Sequence, residues 1–137
     1  MQVLEIMKTH VVKTTGEATL TEAADLIDLY QTNGLPVVDS EGVLQGMLTE
    51  GDIFRAVCSL AGLSAGGQAV REWMTAPAIS IGEHAQVSDA ARLLQDSGLK
   101  RLPVITETGQ VVGVVNRIDL LQAVFEDAIA NVFSDRP

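Results

Sequence analysis

The sequence predicts an α/β (α+β) fold made of two β-α-β-β-α repeats, packed sheet to sheet about a pseudo-twofold axis. Three observations lead there. Sliding the chain by 67 residues lays Met7–Val57 over Met74–Val124 without a gap, with 13 identities in 51 positions. Each copy has an apolar stripe at helical spacing, then two short apolar runs around a glycine turn. A copy this small cannot hold an independent core, because helices on one face of a three-stranded sheet leave the other face uncovered; a second copy can cover it.

The identities are not scattered. Leu35-Pro36-Val37 falls on Leu102-Pro103-Val104, Gly42 on Gly109, Gly46 on Gly113 and Asp52 on Asp119. Within each copy, Val11–Thr14 and Ala78–Ile81 are expected to be first strands, short and ended by polar or glycine residues. Leu20, Ala23, Ala24, Ile27 and Tyr30 then mark a helix, with Thr19 and Glu22 as its capping box. In the second copy Val87, Ala90, Ala91 and Leu94 repeat the stripe and Gly98 is the expected stop. Leu35–Asp39 and Val43–Leu48 flank Ser40-Glu41-Gly42 as a strand pair, as Leu102–Thr106 and Gln110–Val115 flank Glu107-Thr108-Gly109. A last helix follows Thr49 and Asn116. The chain thus divides into 1–57 (first repeat with an N-terminal lead), 58–73 (linker), 74–124 (second repeat) and 125–137 (helical tail). Gln68–Trp73 reads as a short helix with Trp73 as a packing anchor. The tail stripe of Val124, Phe125, Ala128, Ile129, Val132 and Phe133 needs a partner surface, either Val3, Leu4, Ile6 and Met7 or a second subunit.

Composition excludes several classes. Lys+Arg 9 against Asp+Glu 18 gives a net charge of -9, which opposes nucleic-acid binding and docking on an anionic membrane. At 47% hydrophobic and 20% charged, the chain is not a disordered acidic segment. Cys58 is the single cysteine, so no internal disulfide forms, and it is expected to be a buried or half-buried inert thiol. The N-terminus lacks a basic n-region and no apolar run reaches the roughly 20 residues that span a bilayer, so a cytoplasmic domain is expected. His10 and His84 have no metal-ligand spacing, and no nucleophile elbow or phosphate-loop motif occurs. Nothing points to catalysis.

The residues with chemical potential are Gly46-Met47-Leu48-Thr49-Glu50-Gly51-Asp52 and Gly113-Val114-Val115-Asn116-Arg117-Ile118-Asp119. Thr49 or Asn116 can cap the following helix, with Asp52 or Asp119 at its third position. The same arrangement can bind: free N–H groups at a helix start favour phosphate, and a carboxylate can accept from both hydroxyls of a ribose. Gly46 and Gly113 would admit a backbone or a ligand where a side chain would block it.

With these motifs the chain resembles the cystathionine β-synthase (CBS) domain family, and as a whole a tandem CBS pair, or Bateman module. The family signature Gly-h-x-Thr/Ser-x-x-Asp is complete at Gly46, Thr49 and Asp52; Gly113 and Asp119 match in the second copy, where Asn116 replaces the hydroxyl residue. The resemblance implies a non-catalytic sensor that binds an adenine nucleotide (AMP, ADP or ATP) in clefts between the repeats. One cleft would use Thr49 and Asp52 with Val11, Val12, Leu35 and Pro36 near the base. The other would use Asn116 and Asp119 with Ala78, Ile79, Leu102 and Pro103, and Lys100, Arg101 and Arg117 toward phosphate. The second ranks first because Lys100-Arg101 stand where the first copy has Asn33-Gly34. The resemblance also implies a homodimer and a separate effector protein. The rival expectations are a degenerate pair serving as a dimerising scaffold, or a pair for S-adenosylmethionine, NAD(H) or a cyclic dinucleotide.

Overall fold

The computed structural model describes residues 1–61 and 64–134, with residues 127–134 described by backbone alone. It has two three-stranded sheets, ordered β1-β2-β3 and β4-β5-β6. The first repeat supplies β1 (Thr14–Thr15), α1 (Leu20–Leu29), β2 (Gly34–Val38), β3 (Leu44–Thr49) and α2 (Glu50–Ser59). After α3 (Val70–Trp73) the second supplies β4 (Ile81–Gly82), α4 (Val87–Ser97), β5 (Arg101–Ile105), β6 (Val111–Asn116) and α5 (Arg117–Ser134). The mixed α/β architecture is the expected one. No helix of the described residues is long and apolar enough to cross a membrane.

Local chemistry explains most boundaries. Thr19 caps α1, its hydroxyl accepting from the Glu22 amide at 3.1 Å. Gly98 ends α4 in the left-handed region at φ 72°, where its amide reaches the Leu94 carbonyl. Gly42 and Gly109 turn the strand pairs at φ 84° each. The first strands are shorter than expected: only Thr14–Thr15 and Ile81–Gly82 pair, in parallel, with β2 and β5. The short helix begins at Val70 rather than Gln68. The expected tail is not separate, since α5 runs on from Arg117 to Ser134; the tail side chains from Ala128 onward lie outside the described residues. Cys58 is exposed on α2 rather than buried, on the side that also exposes Phe54 and Val57.

The chain forms two compact units, and their membership departs from the order of the sequence. One holds residues 12–78 with 108–111; the other holds residues 1–11, 79–107 and 112 onward. The lead grouped above with the first repeat therefore packs with the second, and residues 70–75 of the linker and repeat start pack with the first. We call residues 1–8 and 68–75 straps. Their backbone hydrogen bonds repeat at the 67-residue offset. Val3 donates to Ala85 O at 2.8 Å as Val70 does to Ala18 O at 2.8 Å, and Leu4 donates to Glu83 O as Arg71 does to Gly16 O. The Val87 amide reaches Met1 O, and the Leu20 amide reaches Gln68 O, each at 2.9 Å.

Each unit builds its own core around its strap. In one, Val3 packs with Val87, Ala90, Leu94, Leu102, Val104, Val115, Leu120 and Ala123. In the other, Val70 packs with Leu20, Ala23, Ile27, Leu35, Val37, Leu48, Ala56 and Ala65. Val3 and Val70 have no exposed surface. Removing two buried methyls leaves a cavity as well as lost burial, so Val3→Ala should cost about 2 kcal/mol. That is expected as a fall of roughly 8 °C in Tm by differential scanning calorimetry. An unchanged Tm would mean the lead does not complete the core.

Candidate functional site

The two signature segments end strands β3 and β6 and begin helices α2 and α5. In both copies a strap crosses the outer strand at the glycine. Met47 and Thr75 exchange backbone hydrogen bonds at 2.9 and 2.8 Å, and Val114 and Lys8 do so at 2.9 Å both ways. A Cβ on Gly46 would lie 2.7 Å from Thr75 O and 2.8 Å from Met74 Sδ; one on Gly113 would lie 2.5 Å from Met7 Sδ and 3.0 Å from Lys8 O. The approach that the glycines permit is that of the strap. The helix amides are matched as well, Glu50 donating to Asn33 O and Arg117 to Lys100 O, each at 3.1 Å.

The two carboxylates are held differently. In the first repeat Thr49 and Asp52 form a reciprocal capping box: the Asp52 amide donates to Thr49 Oγ1 at 3.2 Å and the Thr49 amide to Asp52 Oδ2 at 3.0 Å. The other oxygen, Oδ1, lies 3.7 Å from Arg55 Nη2, and the side chain is 8% exposed. Arg55 is itself fixed, donating to Trp73 O at 2.9 Å with its guanidinium 5.4 Å from the Trp73 ring centre. Trp73 thus anchors as expected, packed against the core of its unit. Asp52 Oδ2 thus accepts a hydrogen bond within the protein, and Oδ1 faces Arg55 as an ion pair.

In the second repeat the Asp119 amide donates to Asn116 Oδ1 at 2.8 Å, so Asn116 does cap. Asp119 Oδ2, however, is buried without a hydrogen-bond partner, and its nearest charge is Lys8 Nζ at 3.6 Å. A buried carboxylate oxygen lacking a donor is costly, and a ligand hydroxyl would relieve that cost.

The remaining expected site residues divide by burial. Lys100 and Arg117 are exposed and Arg101 is half-buried, all in the unit of Asp119. Ile79 is 44% exposed in that unit. Leu35, Pro36, Leu102 and Pro103 are buried, with Leu35 and Leu102 wholly inside the cores. Val12 lies in the unit of Thr49 and Asp52 while Val11 belongs to the other; Ala78 likewise falls outside the unit of Asn116 and Asp119. Lys8 and Arg55, the cations beside the two carboxylates, were not among the expected residues. The 67-residue offset already sets Lys8 opposite Thr75, but a Lys/Thr difference near the start of the repeat does not by itself point to Asp119.

A family model for the CBS domain matches residues 3–59 and again 70–126. The chain belongs to the CBS-domain family. Its matched segments begin at Val3 and Val70, the strap residues that complete the two cores. As a tandem CBS pair it is 33% identical over 118 residues to the CBS domain-containing protein YhcV of Bacillus subtilis, covering 86% of this chain and 81% of that one. Against archaeal relatives the chain spans 22–74% of their length. The fold is shared with CBSX2 of Arabidopsis thaliana, solved with AMP: the TM-score is 0.80 at 24% identity, over 93% of this chain and 98% of that one. The CBS pair of protein MJ0100, solved with 5-methylthioadenosine and S-adenosyl-L-methionine, superposes with a TM-score of 0.75 at 25% identity, over 93% and 98% of the two chains.

The strap crossing is testable by adding a single carbon. Gly113→Ala should destabilise by about 1–3 kcal/mol in urea unfolding, because Met7 and the Lys8 carbonyl must move. Gly67→Ala, where a Cβ meets nothing within 4 Å, should fall within about 0.5 kcal/mol of the parent. Equal effects would contradict the close approach.

Proposed function

We propose that the chain is a non-catalytic regulatory module that binds an adenine nucleotide (AMP, ADP or ATP) at the second repeat. The observation that carries this reading is the buried, donorless Asp119 Oδ2 at the start of α5. Asp119 accepts from the ribose diol and Asn116 holds the helix start. The positive end of the α5 dipole with Lys100, Arg101 and Arg117 attracts the phosphate. Ile79 gives the apolar surface for the base. The adenosine-containing ligands of the MJ0100 pair support an adenosyl ligand class. The first repeat, whose Asp52 is engaged by Thr49 and Arg55, plays a structural part.

Binding regulates only if the ligand prefers one conformation of the pair, which a separate effector protein then reads. A homodimer formed through the second helices of the repeats would cover Phe54, Val57, Ile118, Leu121, Val124 and Phe125, all of them exposed. An acidic chain with an exposed thiol suits a reducing cytoplasm.

Thermal shift with AMP, ADP, ATP, S-adenosylmethionine, NAD(H) and a cyclic dinucleotide tests the reading. A ligand at 100 times its Kd adds about 2.7 kcal/mol, a rise of roughly 5–15 °C for a domain of this size. Asp119→Ala should abolish the shift and Asp52→Ala should leave it. No shift with any adenine nucleotide at millimolar concentration overturns the sensor and favours a dimerising scaffold; a larger shift with another panel member changes the ligand class. Size-exclusion chromatography with light scattering tests the dimer: Phe54→Asp with Phe125→Asp should give a monomer, and an unchanged mass places the interface elsewhere.

A further inference from the structure

We infer that Lys8 makes the second-repeat site selective for anionic ligands, so that it takes a nucleotide in preference to the matching nucleoside or a sulfonium compound. This rests on the assignment of Asp119 as the ribose acceptor. Lys8 reaches the site from the strap, where its backbone is pinned to Val114 by two hydrogen bonds of 2.9 Å. Its side chain is 61% exposed and its ammonium stands 3.6 Å from Asp119 Oδ2, the oxygen that lacks a donor. The anchor is therefore rigid and the head free to swing.

Without ligand, Lys8 neutralises Asp119. A ribose that donates both hydroxyls to Asp119 takes over that oxygen and displaces the ammonium. A neutral nucleoside gives the displaced ammonium no new partner, so the lost ion pair opposes binding. A nucleotide provides a phosphate at the other edge of the same ribose, within the swing of a four-carbon stem, beside the positive end of α5 and Lys100. A sulfonium at that position meets Lys8 and the helix start as like charges. The first repeat has no such device: the strap residue in register with Lys8 is Thr75, and its nearby cation, Arg55, is tied to the Trp73 carbonyl and ring.

The test is isothermal titration of the full chain and of Lys8→Met and Lys8→Arg with AMP, adenosine and S-adenosylmethionine. The parent should prefer AMP to adenosine. Lys8→Met should weaken AMP about tenfold while leaving adenosine unchanged or tighter, and Lys8→Arg should restore the preference. Without ligand Lys8→Arg should melt like the parent and Lys8→Met slightly lower, since the ammonium is exposed but Asp119 Oδ2 is buried. If Lys8→Met weakens AMP and adenosine equally, or leaves their ratio unchanged, the inference is overturned while the nucleotide site stands. If the parent binds no adenine nucleotide, the site assignment fails and the inference with it.

Discussion

Much of this structure depends on one close approach: a strap backbone laid across the outer strand of a sheet, possible because that strand has a glycine at the crossing. With a side chain at Gly46 or Gly113, the methionine before the crossing and the carbonyl after it would be displaced. The backbone pairing of Met47 with Thr75 and of Val114 with Lys8 would then fail, leaving β3 and β6 as unprotected edges. Val3 and Val70 would no longer fill the cores, and Lys8 would not stand beside Asp119. The signature glycine is in this chain first an assembly residue; the chemistry of the site follows from the strap it admits.

Duplication produced two sites with one backbone and two electrostatic outcomes. The hydrogen bonds of the strap, the strand crossing and the helix start match between copies to within about 0.1 Å, so the differences lie in side chains. Each carboxylate has a cation at about the same distance, Arg55 at 3.7 Å from Asp52 and Lys8 at 3.6 Å from Asp119, but Thr49 alone returns the cap by donating its amide to Asp52 Oδ2. The second repeat has Asn116, Gln122 and Lys8 where the first has Thr49, Arg55 and Thr75. Its carboxylate consequently has an acceptor oxygen in reserve. The complete Thr-x-x-Asp signature caps itself reciprocally, whereas with Asn116, Asp119 Oδ2 is left without a hydrogen-bond donor.

The parts that were legible in the sequence are those written in side chains. The repeat, the Thr19 and Thr49 caps, the Gly98 stop and the glycine turns each have a residue type that physics requires there. The destination of the straps was not legible, because backbone bonds such as Val3 N to Ala85 O leave no side-chain pattern and the lead matches the linker chiefly at Val3/Val70 and Glu5/Glu72. A reading by chain order therefore did not show that residues 1–11 cluster with the second repeat, and it overlooked Lys8. Apolar character likewise overstated β1 and β4, where the parallel ladders extend for only two residues. Leu35 and Leu102, expected near the base from the family resemblance, are also core residues, which apolar type and strand position alone did not separate.

The central claim is that a single carboxylate per chain, Asp119, has capacity to spare for a ribose. The stoichiometry of AMP binding at saturation tests it most directly, measured by equilibrium dialysis against chain concentration. The account predicts one AMP per chain, and none bound when Asp119 is replaced by Ala. Two AMP per chain, or one that survives loss of Asp119 and disappears with loss of Asp52, would contradict it.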